Sequence, residues 1–327
     1  MFTPLEKSSD EIGGRNIVNN NAESTSSMPV KEPSLTGFTG SIVALVTPFK
    51  DGLIDYDKLE ELVEYHIENG TNGIIPCGTT GESPTMSHKE HEEVISKVVE
   101  KANGRTPIIA GTGSNNTSEA ISLTRYAKKA GADGALMITP YYNKPTQEGL
   151  YIHYKTIAEK ADIPIIVYNV PSRTGVSISP ETVARLHELE NIVAIKEASG
   201  NIDQTSQILK LCDITVLSGD DSLTLPIMSV GGKGVISVVA NILPKDVLEM
   251  VSNFLNGKIQ KSQEVHKKLF PVCKAMFIET NPIPVKTAMR LLGRLNGEMR
   301  LPLCKMSDEH EKQLLNTLKE HGLIVLA

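Results

Sequence analysis

Residues 163–200 read IPIIVYNVPSRTGVSISPETVARLHELENIVAIKEASG and contain the repeating unit of the fold. Two continuous apolar runs, PIIVYNVP and IVAIKEAS, flank a helical segment that opens with Ser179 and Pro180, residues typical of a helix start. Continuous apolar character is typical of parallel strands that are buried on both faces. The stretch therefore predicts a strand, a helix and a second, parallel strand.

The same pattern continues in both directions along the chain. Six more apolar runs are present: SIVALVTP (41–48), NGIIPCG (72–78), PIIAGTG (107–113), GALMITP (134–140), ITVLSGD (214–220) and GVISVVAN (234–241). Helical segments with capping residues, such as Ser87 with Glu90 and Asn116 with Glu119, separate them. Eight such units predict an α/β protein with a closed (β/α)8 TIM barrel. An open doubly wound sheet is the alternative, but no GxGxxG follows the first strand.

The chain divides into three parts by composition and periodicity. We expect residues 1–36 to be a disordered N-terminal tail, because NNNAESTSS (19–27) and its neighbours are too polar to bury a core. This tail resembles neither a secretory signal nor a transit peptide, and Met28 is an alternative start. Residues 37–245 would form the catalytic barrel. Residues 246–327 contain more helical periodicity than one closing helix requires, and they predict an appended C-terminal helical region.

The composition favours small-molecule chemistry. The chain has 327 residues, a formal net charge of -6 and no long basic run, which disfavours a nucleic-acid or anionic membrane partner. No apolar run approaches the roughly 18 residues of a membrane span. The cysteines include no CxxC pair, which disfavours zinc and favours a reducing compartment, so we expect a cytoplasmic protein; they are Cys77, Cys212, Cys273 and Cys304.

Catalytic groups of a barrel enzyme lie at the carboxyl ends of its strands. The residues at these ends are rich in hydroxyl groups and contain no cluster of histidine and acid that suits a metal. Lys196 directly follows the run Ile192–Ile195, where desolvation would lower the pKa of its amine and favour an imine with a carbonyl substrate. A lysine that extends from a strand end into solvent is the simpler alternative.

Three neighbouring features support a role in chemistry. Tyr168 ends the preceding strand, from which its phenol could reach the Lys196 amine as a proton shuttle, although packing is the commoner role of such a tyrosine. Arg173 follows in a Pro and Gly loop, where it suits either a substrate carboxylate or a surface ion pair. The GTTGE turn offers backbone N–H groups and the Thr80 hydroxyl, and it lacks the lysine of a phosphate-binding loop.

Six motifs in order resemble the dihydrodipicolinate synthase family of pyruvate-dependent class I aldolases: GTTGESPT, PYYNKPTQEGLY, YNVPSRTG, AIKEASGN, SGDD and GVISVVAN. The resemblance extends from about Gly37 to the C-terminus. It implies condensation of pyruvate with L-aspartate 4-semialdehyde, through a Schiff base and without a separate cofactor or metal, in lysine and diaminopimelate biosynthesis. It also implies a homotetramer built as a dimer of dimers.

The resemblance assigns roles to individual positions. Lys196 would form the imine, and Tyr168 would exchange protons with Thr80 and with Tyr142 of a neighbouring subunit. Thr79 and Thr80 would hold the pyruvate carboxylate. Arg173 would bind the carboxylate of the semialdehyde, and backbone groups of Gly219 and Ile236 would line the pocket.

His88 and His91 stand one turn apart on a predicted helix, where a solvated face is the simplest interpretation and a metal pair a weaker one. The resemblance implies a third interpretation, an allosteric pocket for L-lysine at a dimer interface. Its residues would be Ser83, His88, His91, Asn115, Glu119 and Tyr141, with Glu119 on the amine of the effector. Pro84 replaces a small residue beside this pocket and would alter its shape.

Two alternative functions remain. An N-acetylneuraminate lyase or a 2-keto-3-deoxy sugar acid aldolase would share the imine lysine and the tyrosine, but Arg173 and the pair Tyr141 and Tyr142 favour a short acidic aldehyde. A non-catalytic, ligand-sensing barrel would keep only the fold and the effector pocket. The full set of catalytic residues argues against it.

Overall fold

The computed structural model of the chain describes residues 38–324. Eight parallel strands form one sheet within this range. Their bounds are β1 Gly40–Ala44, β2 Gly73–Ile75, β3 Ile109–Gly111, β4 Gly134–Ile138, β5 Ile165–Asn169, β6 Ile192–Glu197, β7 Thr215–Ser218 and β8 Gly234–Ser237. The predicted tail, residues 1–36, lies outside the described range.

The sheet closes on itself. Strand β1 pairs with β8 on one side and with β2 on the other, and the order continues from β8 through β7, β6, β5 and β4 to β3. A parallel bridge between Ile74 and Ile108 joins β2 to the start of β3. The (β/α)8 TIM barrel predicted from the sequence is confirmed.

Helices cover the outside of the barrel and form its C-terminal extension. Their bounds are α1 Tyr56–Glu68, α2 His88–Ala102, α3 Thr117–Ala130, α4 Gln147–Ala161, α5 Pro180–His187, α6 Ile202–Leu211, α7 Thr224–Ser229, α8 Pro244–Leu255, α9 Ile259–Ala275, α10 Ile283–Leu291 and α11 Asp308–Glu320. The capping box of Ser87 and Glu90 begins α2, and Asn116 caps α3, as the sequence predicts. No helix within residues 38–324 is both long and apolar enough to cross a membrane.

The interior of the barrel is a packed core. Side chains from successive strands fill it, including Ile42, Ile109, Ile166, Leu217 and Ile236. Burial on both faces explains why each strand is continuously apolar in sequence. Because the centre of the barrel is filled, a ligand site is expected at the strand ends and not inside the barrel.

The C-terminal helices join the barrel at these strand ends. Helix α8 packs on β1, as the eighth helix of a barrel does, and α9 packs on α8. Helix α10 contacts the short helical turn Val239–Asn241 that follows β8, and α11 packs on both α9 and α10. The C-terminal region therefore borders the mouth of the barrel, where α10 lies directly over the end of β8.

Candidate active site

Lys196 lies near the carboxyl end of β6 and points into the mouth of the barrel. Its side chain is enclosed, and the residue is only 6% exposed. Burial lowers the pKa of the amine to about 7; the Asp221 carboxylate acts against this shift and the Arg173 guanidinium adds to it. A large fraction of the amine is therefore unprotonated near neutral pH and able to act as a nucleophile.

Tyr168 is the partner of Lys196 in the register between β5 and β6. The Lys196 Nζ lies 4.2 Å from the centroid of the Tyr168 ring. Burial raises the pKa of the phenol, while the Arg173 guanidinium and the Thr79 hydroxyl lower it. The phenol is thus neutral and close to the amine, as a proton donor must be.

The absence of a side chain at Gly219 leaves room for the Lys196 side chain. A Cβ atom at this position would lie 2.6 Å from the Ala198 Cβ and 3.0 Å from the Lys196 Cε. The Gly219 N–H donates to the Glu197 carbonyl at 2.7 Å, which fixes the glycine against β6. Any larger residue here would displace the lysine.

A cavity of about 200 Å³ opens beside the Lys196 amine. Its lining includes four of the predicted substrate-binding residues, Thr79, Thr80, Arg173 and Gly219, together with Tyr168. Ile236, also predicted here, packs with its side chain in the barrel interior and is not among the lining residues. The volume suits a small metabolite of a few carbon atoms.

The two threonines of the GTTGE turn point to different partners. The Thr79 hydroxyl is the one close enough to Tyr168 to act on its pKa. Thr80 is buried, and its hydroxyl accepts a hydrogen bond of 3.0 Å from the Asn281 Nδ2. The sequence predicted that Tyr168 exchanges protons with Thr80, whereas the hydroxyl that lowers the pKa of Tyr168 is that of Thr79.

Arg173 lies in the one-turn helix Pro171–Thr174 that follows β5. Its Nη2 donates to the Asn281 carbonyl at 3.1 Å, and no salt bridge to it is found within residues 38–324. The guanidinium lines the Lys196 cavity and also a second, neighbouring cavity. It therefore retains donors for an anionic ligand.

The second cavity has a volume of about 430 Å³ and contains most of the predicted allosteric residues. Ser83, His88, His91, Glu119 and Tyr141 all line it. The remaining one, Asn115, donates from Nδ2 to the Tyr141 carbonyl at 3.2 Å. The six residues therefore lie together, and the cavity shares Tyr168 and Arg173 with the Lys196 site.

The charges in this cavity are arranged around Glu119. Its carboxylate lies 2.6 Å from the His88 Nε2 and accepts a hydrogen bond from the Ser114 hydroxyl. His91 is only 4% exposed, and burial lowers its pKa to about 4. A solvated face is therefore wrong for His91, which continues the buried stripe of α2 formed by Val94, Ile95 and Val98.

Tyr142 differs from the other predicted catalytic residues because its side chain is exposed on the surface of the barrel. It is 89% exposed and has a φ of 71°, in the left-handed region that residues other than glycine rarely occupy. Its phenol therefore does not complete the Lys196 site of the same chain.

Two polar residues near the amine have no assigned role in the sequence analysis. Asn281 bridges Thr80 and Arg173, and it comes from the loop before α10. Asp221 is buried, accepts hydrogen bonds from the Ser237 hydroxyl and from the Val238 N–H at 2.9 Å, and raises the pKa of Lys196. Asp221 is the last residue of the SGDD motif at the end of β7, whereas no motif contains Asn281.

The fold and this site define a (β/α)8 barrel enzyme with a buried, nucleophilic lysine at the barrel mouth, the class to which class I aldolases belong. A comparison with family models identifies the family within this class. The chain belongs to the dihydrodipicolinate synthetase family, whose model matches residues 37–321.

Individual relatives agree with this assignment. The 4-hydroxy-tetrahydrodipicolinate synthase of Geotalea uraniireducens is 57% identical over 289 residues, which cover 88% of this chain and 100% of that protein. The crystal structure of dihydrodipicolinate synthase from Aquifex aeolicus is 55% identical, with a TM-score of 0.86, 88% of this chain covered and 99% of that one. The structure of the Cyanidioschyzon merolae enzyme with lysine bound is 42% identical, with a TM-score of 0.86 and coverage of 88% and 99%.

Proposed function

We propose that the chain catalyses the condensation of pyruvate with L-aspartate 4-semialdehyde to 4-hydroxy-tetrahydrodipicolinate, in lysine and diaminopimelate biosynthesis. The observation that carries the proposal is the buried Lys196 amine, with a pKa of about 7, in contact with the Tyr168 ring inside a small cavity. The names of the relatives, at identities near 57% over most of the chain, support the choice of substrates.

The proposed mechanism begins with the unprotonated Lys196 amine. It attacks the ketone of pyruvate and expels water to form an imine, whose protonated nitrogen withdraws electrons and makes the methyl group acidic. Loss of a methyl proton gives an enamine, which attacks the aldehyde carbon of the second substrate. The amino group of that substrate then displaces Lys196 and closes the ring. No separate cofactor is required.

Proton transfer in this scheme depends on Tyr168, the phenol nearest the amine. We assign the hydroxyl that exchanges protons with it to Thr79, because the Thr79 hydroxyl is the one that lowers the pKa of Tyr168. Thr79 and Thr80 would also hold the carboxylate of pyruvate through backbone N–H groups, with Gly219 beside them in the lining of the cavity. Tyr142 of a neighbouring subunit would supply the outer phenol, within a homotetramer in the cytoplasm.

Arg173 would select the second substrate. Its guanidinium lines the cavity and makes one hydrogen bond to a carbonyl, which leaves further donors for a carboxylate. An N-acetylneuraminate lyase or a sugar acid aldolase would instead need groups that bind hydroxyls at the position of Arg173. The cavity of about 200 Å³ is also small for a sugar chain.

A coupled assay tests the proposed function. Product formation from pyruvate and L-aspartate 4-semialdehyde is followed through an added reductase that consumes the product. Turnover with both substrates, and none when either is left out, is the expected result. An absence of turnover with an active reductase would overturn the proposal, and sugar acid aldehydes would then be tested in place of the semialdehyde.

The rate of imine formation with pyruvate should rise with pH through about 7. Because burial lowers the pKa of Lys196 to about 7, the unprotonated fraction falls about tenfold for each pH unit below that value. Above pH 7 the fraction approaches one and the rate should level off. Trapping of the imine with cyanoborohydride between pH 5 and 10 measures this profile, and a rate that continues to rise toward pH 10 would contradict the assigned pKa.

The second cavity would be the site at which L-lysine inhibits the enzyme. The Glu119 carboxylate, which already pairs with His88, is suited to the amine of an amino acid, and Tyr141 and Asn115 border the same space. The shared lining residue Tyr168 connects this cavity to the catalytic one. The lysine-bound structure of the Cyanidioschyzon merolae relative supports such a role.

Replacement of Glu119 by glutamine should weaken inhibition by L-lysine at least about tenfold, because the charged acceptor for the amine is lost. The change in inhibition should exceed any change in turnover without lysine. Inhibition curves for the wild type, Glu119→Gln and the control Glu148→Gln, an exposed residue paired with Arg185, measure this. Unchanged inhibition of Glu119→Gln would remove Glu119 from the effector site.

A further inference from the structure

A fully buried ion pair lies beneath the GTTGE turn. The Lys286 Nζ lies 2.6 Å from the Glu82 Oε1, and the two side chains are 1% and 0% exposed. Lys286 belongs to α10 in the C-terminal region, whereas Glu82 is the last residue of the turn. Neither residue lines the Lys196 cavity, so neither is available to bind substrate there.

All the polar atoms of this pair are engaged. The second Glu82 oxygen, Oε2, accepts from the Arg300 N–H at 3.2 Å. The Lys286 Nζ also donates to the Thr47 carbonyl at 2.9 Å and lies 4.4 Å from the centroid of the Phe49 ring. The pair therefore joins the turn to the segment after β1 and to two parts of the C-terminal region.

Glu82 is well placed to fix the threonines. Its φ of 55° is left-handed, a conformation that costs energy for a residue other than glycine and must be held by its surroundings. Its N–H donates to the Thr79 carbonyl at 3.1 Å. Gly81, between them, has its carbonyl bound by the Thr47 hydroxyl at 2.7 Å. A shift of Glu82 would therefore move Thr79 and Thr80 with it.

The energetics argue against a role in stability alone. Taking two charges out of water costs several kcal/mol per ion, and replacement of a buried ion pair by apolar residues of similar size is often neutral or stabilising. Burial indeed lowers the pKa of Lys286 against the opposing effect of Glu82. A pair of this kind contributes fixed geometry more than net stability.

We propose that Glu82 and Lys286 are positioning residues, through which the C-terminal helix α10 holds the Thr79 and Thr80 turn in its catalytic position. The proposal rests on the proposed function, because it assumes that this turn binds the carboxylate of pyruvate and acts on Tyr168. It makes the C-terminal region part of the catalytic apparatus without any contact to substrate.

The test replaces the pair by apolar residues of similar length. The double variant Glu82→Met with Lys286→Met should keep a melting temperature close to that of the wild type. Its KM for pyruvate should rise and its kcat should fall, each by about tenfold, because the turn is misplaced. The control Leu318→Ala opens a cavity in α11, which packs on α10, and should lose stability while keeping kcat and KM.

Glu82→Gln provides a second variant, which keeps the shape and removes only the charge. It should raise the KM for pyruvate and lower kcat in the same direction. Wild-type kcat and KM in either folded variant would overturn the proposal, and so would failure of the double variant to fold, because the pair would then serve stability.

The readout separates this proposal from the proposed function. Borohydride trapping with pyruvate alone measures how much imine forms on Lys196 while the turn holds the carboxylate of pyruvate. It needs no second substrate. Wild-type protein that traps pyruvate but does not condense it would overturn the proposed function, while the comparison of trapping between variants would still decide the role of the pair.

Discussion

Replacement of Lys196 by methionine should reduce the rate of condensation by at least about a thousandfold, because the covalent step is lost. Methionine fills a similar volume, so the core around β6 should remain packed. The variant should no longer form a borohydride-stable adduct with pyruvate, and mass spectrometry of the wild type should place the adduct on Lys196. The coupled assay and peptide mapping together measure both effects.

Lys210→Met is the matched control, since Lys210 is an exposed lysine near the end of α6. It should retain both turnover and the adduct. An adduct that maps to another lysine, or substantial turnover of Lys196→Met, would overturn the assignment of the nucleophile.

Replacement of Arg173 by alanine should lower kcat/KM for the semialdehyde on the order of a thousandfold, because its carboxylate would lose a charged, bidentate partner. Imine formation with pyruvate should change far less, since Lys196 and Tyr168 keep their contact. Steady-state kinetics of the condensation and trapping with pyruvate alone measure the two steps separately.

Arg173→Lys should recover only part of the loss, because an ammonium group cannot reproduce the planar fork of the guanidinium. Arg185→Ala removes an exposed arginine that pairs with Glu148 and serves as the control. Equal losses in both steps for Arg173→Ala would make the residue structural and would return attention to the sugar acid aldehydes.

The barrel was predictable because its pattern is local. Each strand is an apolar run of a few residues, and each helix carries its own cap, as at Ser87 and Asn116. The adjacency of Lys196 and Tyr168 also follows from the sequence, because consecutive parallel strands end side by side.

The supports of the site were not predictable in this way. Asn281 reaches Thr80 across 201 residues, and Lys286 reaches Glu82 across 204. Such pairings depend on how the C-terminal helices meet the barrel, which no short pattern specifies. The burial of His91 could have been predicted from the sequence, because its spacing to Val94, Ile95 and Val98 is that of one helix face.

The exposed position of Tyr142 has a genetic consequence. If each active centre combines Lys196 of one subunit with Tyr142 of its neighbour, two defective alleles can complement each other. In a mixed dimer of Lys196→Met and Tyr142→Phe subunits, one centre contains both substitutions and the other contains neither. Co-expression of two inactive proteins would thus restore part of the activity and permit growth without supplied diaminopimelate.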